Sequence, residues 1–354
     1  MHGLGGRDEA TYDPCMSKMI AAPAWYADGF GPPFVSHEEL VRAAFPGPLA
    51  WLCLSFGFLR GAAVALLGAR RGGLALIKGV PGTATALVIS ACLRRRPRIA
   101  LLEFIRRPAS SRRWRRLAYQ LWHHHIEGPA VRRAMVVGHV MTEWERGEYA
   151  RQYGLPEERF HHVRWPLCRW GEAPGEPILE RGRTVMSSGR GYSDWETLFG
   201  AWRGADWDLT VVCGRADLER VRRLNPDGAA TVHVELSRLD HDRLLRCSDL
   251  YAMVMREAGV SAGHVRLMAA VENGVPVVAS DVRALDGYVE SGGTAVLVAP
   301  GDSAGLRAAI DSLLGDARRR SRLRDEALAR ARDWTYDRYF AALRTVILEA
   351  FESR

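Results

Sequence analysis

Two periods alternate along most of the chain. Short apolar, β-branched or Leu-rich runs at 74–77, 98–104, 134–138 and near 161–164 read as strands, and apolar positions recurring every three or four residues between them read as helices, one ending at 93 and others over 114–125 and 143–153. The alternation resumes beyond residue 183, with strands at 184–187, 209–213, 231–236 and 249–255 and helices at 194–202 and 240–246. Strands separated by helices need crossover connections, so the pattern predicts parallel sheets in an α/β fold. Three helices close the chain, at 303–314, 318–334 and 336–351. Residues 1–33 show little periodicity and read as a loose lead-in, after which Ser36 with Glu39 three positions on predicts a capped short helix. Segment 49–67 is nearly long enough to cross a bilayer, but Arg60 near its middle and two glycines favour a buried or surface-lying helix.

The chain is organised around residues 261–280, SAGHVRLMAAVENGVPVVAS. Ser261, Ala262 and Gly263 form a small-residue loop, residues 264–272 carry a helical apolar pattern (Val265, Met268, Ala269, Val271), and Gly274 to Ser280 is a turn and a short β-branched strand. A small loop opening a helix exposes unpaired N–H groups and the positive end of the helix dipole, which suits phosphate. Ser280 and Asp281 then stand at a strand's carboxyl end, where open α/β sheets bind ligands. Earlier in the chain, Lys78-Gly79-Val80-Pro81-Gly82-Thr83 links a strand to a helix but matches neither a dinucleotide fingerprint nor a P-loop.

The loop and helix, the run Asn273-Gly274-Val275-Pro276-Val277-Val278-Ala279-Ser280 and the later Val298-Ala299-Pro300-Gly301-Asp302 resemble the nucleotide-sugar half of retaining GT-B glycosyltransferases of the family-4-like group. The resemblance covers residues 184–335 well and the first half in outline. It implies two Rossmann-like domains facing across a cleft, with boundaries at 34–168 for the acceptor side, a Pro- and Gly-bearing linker at 169–183, a nucleotide-sugar domain at 184–335, and a C-terminal helix at 336–354 crossing back to the first domain. The family's two motif glutamates, the second of which holds the ribose, are Ser261 and Ala269 here.

At 354 residues the chain suits two domains, and 47% hydrophobic with 25% charged residues is ordinary for a globular protein. The net charge of +8 comes almost wholly from arginine, lysine occurring only at 18 and 78, which suits a high-GC bacterial genome. Ten arginines crowd into 94–116 against one acid, Glu103. Such a run is a solvated surface or an attraction to an anionic membrane. It has no aromatic interleaving beyond Trp114, so no nucleic-acid partner is expected. Six widely spaced cysteines without a CxxC pair suggest neither zinc nor disulfides, and the first fifteen residues hold early acids and no apolar core, so no signal peptide is read there. The expected location is the cytoplasm, with peripheral contact at the inner membrane face.

Sugar transfer requires that the nucleotide be held, the departing diphosphate neutralised and an acceptor oxygen set at the anomeric carbon. The resemblance implies a donor site made of Gly189 and Arg190 after the first strand of the second half, and of Ser261, Ala262, Gly263 and His264 at the helix start. Glu272 shares a helix face with Ala269 and is a candidate substitute for the missing ribose ligand. Glu257, just before the loop, and Glu103, at a strand's carboxyl end beside Arg106 and Arg107, are the candidate catalytic acids. His123, His124 and His125 point in different directions from a helix and do not make one metal site; His139 is a weaker candidate. No cofactor or metal is expected. Three readings stay open: a retaining transferase using a UDP- or GDP-sugar, a degenerate GT-B protein acting as partner of another transferase, and a sugar-nucleotide epimerase.

Overall fold

The computed structural model describes residues 19–105, 113–167 and 182–353. Linker residues 169–181, Arg106 and Arg107 therefore lie outside the described residues. The chain divides into two compact units, one made of Met1–Leu102, Leu117–Gly138 and Ile347–Arg354, the other of Glu103–Arg116 and His139–Val346.

The first sheet contains β1 (Ile20–Ala22), β2 (Phe34–Ser36), β3 (Gly73–Ile77), β4 (Arg98–Leu102), β5 (Met135–Val140) and β6 (Phe160–His162), in the order β2-β1-β3-β4-β5-β6. β1 pairs in parallel with β2 and β3, β3 with β4, and β4 with β5. Leu74 to Leu76 and Ile99 to Leu102 are buried on both faces, which is why these strands read as continuous apolar runs. The lead-in expected over residues 1–33 is structured from Ile20: β1 and the helix Ala24–Phe30 bury Tyr26 and Phe30. A three-residue strand is too short to leave a periodic signature.

Ser36 caps the helix His37–Ala44 as predicted, accepting from Glu39 N at 3.1 Å while Ser36 N donates to Glu39 Oε2 at 2.9 Å. The single helix expected over 49–67 is two, Gly47–Ser55 and Gly57–Arg71, bent by 116° at Phe56. Close packing explains the break, since a Cβ on Gly57 or Gly61 would run into Pro81 or the Gly82 backbone. Among the described residues no single helix is long and apolar enough to cross a membrane; the bent pair passes that test only jointly. Trp51, Leu52, Phe56 and Phe58 on this pair are exposed. The helix predicted over 114–125 is Arg113–Trp122, continued by a π-turn at His123–Glu127 and the helix Gly128–Ala134.

The second sheet contains β7 (Thr184–Gly189), β8 (Asp208–Cys213), β9 (Thr231–Val234), β10 (Leu250–Met253), β11 (Val277–Ser280) and β12 (Val296–Val298), in the order β12-β11-β10-β7-β8-β9 with every pair parallel. From β7 the chain winds outward through β8 and β9, then returns to the other side of β7 and winds the opposite way. The crossovers diverge between β7 and β10, so a crevice opens at those strands' carboxyl ends. Trp195, Leu198 and Phe199 from the helix Trp195–Trp202 fill one face, with Leu306, Ile310 and Leu313 from Ser303–Leu314. Met268, Val271 and Val275 pack with Tyr251 and Tyr288 on the other. The last helix is Tyr336–Glu352, whose end, Ile347 onward, clusters with the first unit and lays Phe351 against Gly73.

Candidate active site

The turn after β7 and the loop after β10 are stitched together. Ser193 bridges Met255 in antiparallel fashion, Asp194 N donates to Val254 O at 3.1 Å and Arg256 N to Tyr192 O at 2.9 Å. Tyr192 takes a left-handed φ of 58°, which the bridge on its far side holds in place. Gly189 must be glycine, because a Cβ there would overlap Ser193 Oγ and the Arg266 guanidinium. Arg190 is exposed, its stem lying over Gly214, where a Cβ would be 3.4 Å from Arg190 Cγ. Asp194, next in the turn, is occupied as a helix cap, accepting from Thr197 N at 3.2 Å and Thr197 Oγ1 at 2.7 Å.

The loop that opens the helix His264–Glu272 is anchored residue by residue. Ser261 is buried; its N–H donates to Glu145 Oε1 at 3.3 Å and its hydroxyl bonds Thr142 Oγ1 at 2.9 Å. Glu145, with no exposed surface, also accepts from Met141 N, Thr142 N and the Tyr149 hydroxyl. Gly263 caps the helix with φ 90°. His264 does not turn its ring outward: Nε2 donates to Ala284 O at 2.7 Å and the ring stacks on Tyr288 at 4.2 Å. Burial lowers its pKa to about 4, so the imidazole is neutral. His264 can therefore offer a ligand only backbone, at a helix start fixed in advance, while the Ser261 N–H and hydroxyl are already taken by Glu145 and Thr142.

Each candidate acid is tied into local contacts. Glu272 is 2% exposed and pairs with Arg238 Nη2 at 3.1 Å. Glu257 accepts from Gly259 N at 2.8 Å and Arg283 N at 3.0 Å. Burial raises its pKa, but these backbone donors and the Arg283 charge outweigh that and leave it lowered, an ionised loop tie. Glu103 follows β4 with φ 47° and its N–H donates to His139 Nδ1 at 3.2 Å. His139 Nε2 donates to Val163 O at 2.9 Å, which fixes the tautomer. Burial lowers the His139 pKa to about 4, making it a backbone clamp. Among the described residues no group of three or more His, Cys, Asp or Glu is placed to hold a metal.

Two residues escaped the sequence reading. Glu145 is one. Arg266 is the other: from the first turn of the helix its Nη1 donates to Ser188 O and, at 3.0 Å, to Ser193 Oγ, which brings the helix start onto the carboxyl end of β7. Val265, assigned to the apolar face, is 56% exposed, and Arg266 turns inward beside it. An arginine interrupting the helix's apolar pattern was the available signal. Ser188 Oγ continues the cluster, bonded to Tyr251 OH at 2.8 Å and to His241 Nε2 at 2.9 Å.

Residues 196–316 match the family model described as Glycosyl transferases group 1. The whole fold is that of GT-B glycosyltransferases. A glycosyltransferase from Rickettsia africae superposes with a TM-score of 0.65 at 9% identity, over 95% of this chain and 100% of that one. Anabaena Alr3699/HepE in complex with UDP-glucose gives 0.67 at 15% identity, over 94% and 99%. WaaG, a glycosyltransferase involved in lipopolysaccharide biosynthesis, gives 0.55 at 15%, over 82% and 96%. No curated protein sequence matches the chain significantly. The chain thus has the GT-B fold, and within its second half residues 196–316 are similar to the group 1 glycosyl transferases.

Proposed function

We propose that the chain moves a sugar from a UDP- or GDP-sugar to a cell-envelope or natural-product acceptor, with retention at the anomeric carbon. The observation that carries this reading is the meeting of the Gly189 to Ser193 turn with the helix start at Gly263, at the place where the second sheet's crossovers diverge. A diphosphate there would be met by the helix N-terminus, by Gly189 backbone and by Arg190. Ala262 would contribute loop backbone, with Ser261 anchoring the loop beneath it, and Glu103 and Glu257 stay as the acids to test. UDP-glucose in HepE supports the donor class, and the role of WaaG in lipopolysaccharide biosynthesis supports an envelope acceptor.

In the proposed step the acceptor hydroxyl attacks on the face the leaving group departs from. The bond from the anomeric carbon to phosphate oxygen breaks, a bond to acceptor oxygen forms, and the acceptor proton passes to the departing phosphate. The nucleoside diphosphate leaves with its charge met by cations and backbone N–H groups, so activity in excess chelator is expected to match that without it. For the acceptor, a cavity of about 290 Å³ lies at the corresponding divergence of the first sheet, between β1 and β3. It is lined by Pro23, His37, Arg60, Ile77, Val80 and Pro81. The exposed Trp51 and Phe58 and the basic 94–116 stretch are the proposed contact with an anionic membrane.

A second reading is favoured by one observation: neither motif position carries a carboxylate, and Glu272 is turned to Arg238. A chain that lost its ribose ligand for good would serve as partner to an active transferase. Hydrolysis of a panel of nucleotide sugars by the purified protein separates the two. Slow turnover of one UDP- or GDP-sugar supports the enzyme, and none across the panel supports the partner.

A further inference from the structure

Arg266 is a cation in a place that does not satisfy it. Of its guanidinium, Nη1 has two partners, Ser188 O and Ser193 Oγ, while Nε and Nη2 are enclosed with no hydrogen-bond partner. It forms no ion pair among the described residues, and the group that helps hold its charge is the phenol of Tyr251, electrostatically and through a side-chain hydrogen bond. That phenol is itself buried and pushed above its ordinary pKa, so it is neutral and does not cancel the charge. The residue as a whole keeps some solvent exposure, but Nε and Nη2 are cut off from water, and leaving guanidinium donors enclosed and unpaired is costly. A hydrophobic residue of similar length would pack there at less expense, so stability does not account for Arg266.

The surroundings say what does. Arg266 lies between two glycines, Gly189 and Gly263, and fills part of the space a Cβ would need at each, with Ser193 beside it at the first and methionines at the second. Above Gly263, Arg266 Nε and Met255 Sδ stand 3.1 and 3.2 Å from where that Cβ would be, with Met253 Cε beside them. The edge carrying the free donors is thus bounded by methionines, the apolar side chains most readily displaced. Nε and Nη2 form the planar fork that takes two oxygens of one anion. The helix start at Gly263 adjoins this edge, and Arg190 is exposed on the turn after β7.

We infer that Arg266 is the cation that grips the diphosphate of the donor, offering Nε and Nη2 to two of its oxygens once the methionines move aside. The inference rests on the donor site proposed above. Arg266 then serves in place of the ribose-binding carboxylate this chain lacks, shifting donor recognition from the sugar ring of the nucleoside to the diphosphate. Affinity should follow the number of phosphates more than the nucleoside.

Binding of uridine, UDP, guanosine, GDP and inorganic pyrophosphate is measured by calorimetry on the full chain and on Arg266→Met and Arg266→Lys, with the thermal midpoint of each protein without ligand. The expected result is that R266M binds UDP or GDP at least tenfold more weakly, binds the nucleoside as wild type does, and has a midpoint no lower than wild type. R266K, which keeps charge without the fork, should fall between. Two results overturn the inference: R266M binding the diphosphate as well as wild type, which makes Arg266 a plug, or R266M losing midpoint and all ligands together, which makes it structural. Should wild type bind none of the five probes, the donor site itself falls. If R266M does not fold, R266K decides: wild-type affinity for the diphosphate contradicts the fork.

Discussion

Glu145 shows how much a single side chain can fix. Its two oxygens accept from three backbone N–H groups, of Met141, Thr142 and Ser261, and from the Tyr149 hydroxyl, with no solvent contact. Truncating it leaves all four donors buried and unsatisfied. Glu145→Ala should therefore lower the unfolding free energy by about 3 to 5 kcal/mol in denaturant titrations, and a loss under about 1 kcal/mol would show the loop to be held otherwise. The histidines give a pH signature. Burial lowers His139 and His264 from 6.5 to about 4, so below pH 6.5 the unfolded chain takes up protons that the folded chain refuses until near pH 4. Stability is then complete above about pH 6.5 and falls through that window, by up to about 3 kcal/mol for each imidazole. Unfolding free energies equal at pH 7 and pH 5 would mean these rings titrate normally. Residue roles were the least legible part of the sequence. The Ser36 to Glu39 cap spans three positions and could be read; Glu145 and Ser261 are 116 residues apart, and nothing local in either marks the contact.

Elements were legible where they are long and periodic. The helix Trp195–Trp202, the core strands of both sheets and the helix His264–Glu272 follow from apolar spacing alone. The break at Phe56 did not, because composition does not show that Gly57 and Gly61 must approach the Pro81 and Gly82 backbone. That break leaves a bent, apolar helix pair with Trp51 66% and Phe58 59% exposed. Exposed indole and phenyl groups suit an apolar surface, and the arginines of the 94–116 stretch suit an anionic one. The protein should sediment with vesicles rich in phosphatidylglycerol and not with pure phosphatidylcholine. High salt should release it, and Trp51→Ser with Phe58→Ser should weaken the binding at least fivefold. Equal binding to both vesicle types would remove the electrostatic part of that proposal.

At the scale of the whole molecule, the two six-stranded parallel sheets explain why the second half was readable as a nucleotide-sugar domain and the first only in outline. Each strand from β7 to β10 is followed by a helix before the next strand, whereas the first sheet begins with two strands of three residues each. The loss of carboxylates at Ser261 and Ala269 was visible from the start. What stands nearby required the fold, since Arg266 gains its meaning only when β7 and β10 lie side by side. The proposed diphosphate site lies where the turn after β7 meets the helix start after β10. A crystal structure of the full chain grown with saturating UDP or GDP measures this directly. Phosphate density between the Gly189 to Ser193 turn and the Gly263 helix start, within hydrogen-bonding reach of the Arg266 guanidinium, is the predicted result. A nucleotide bound elsewhere, with the Arg266 fork still enclosed and that crevice empty of phosphate, would contradict it.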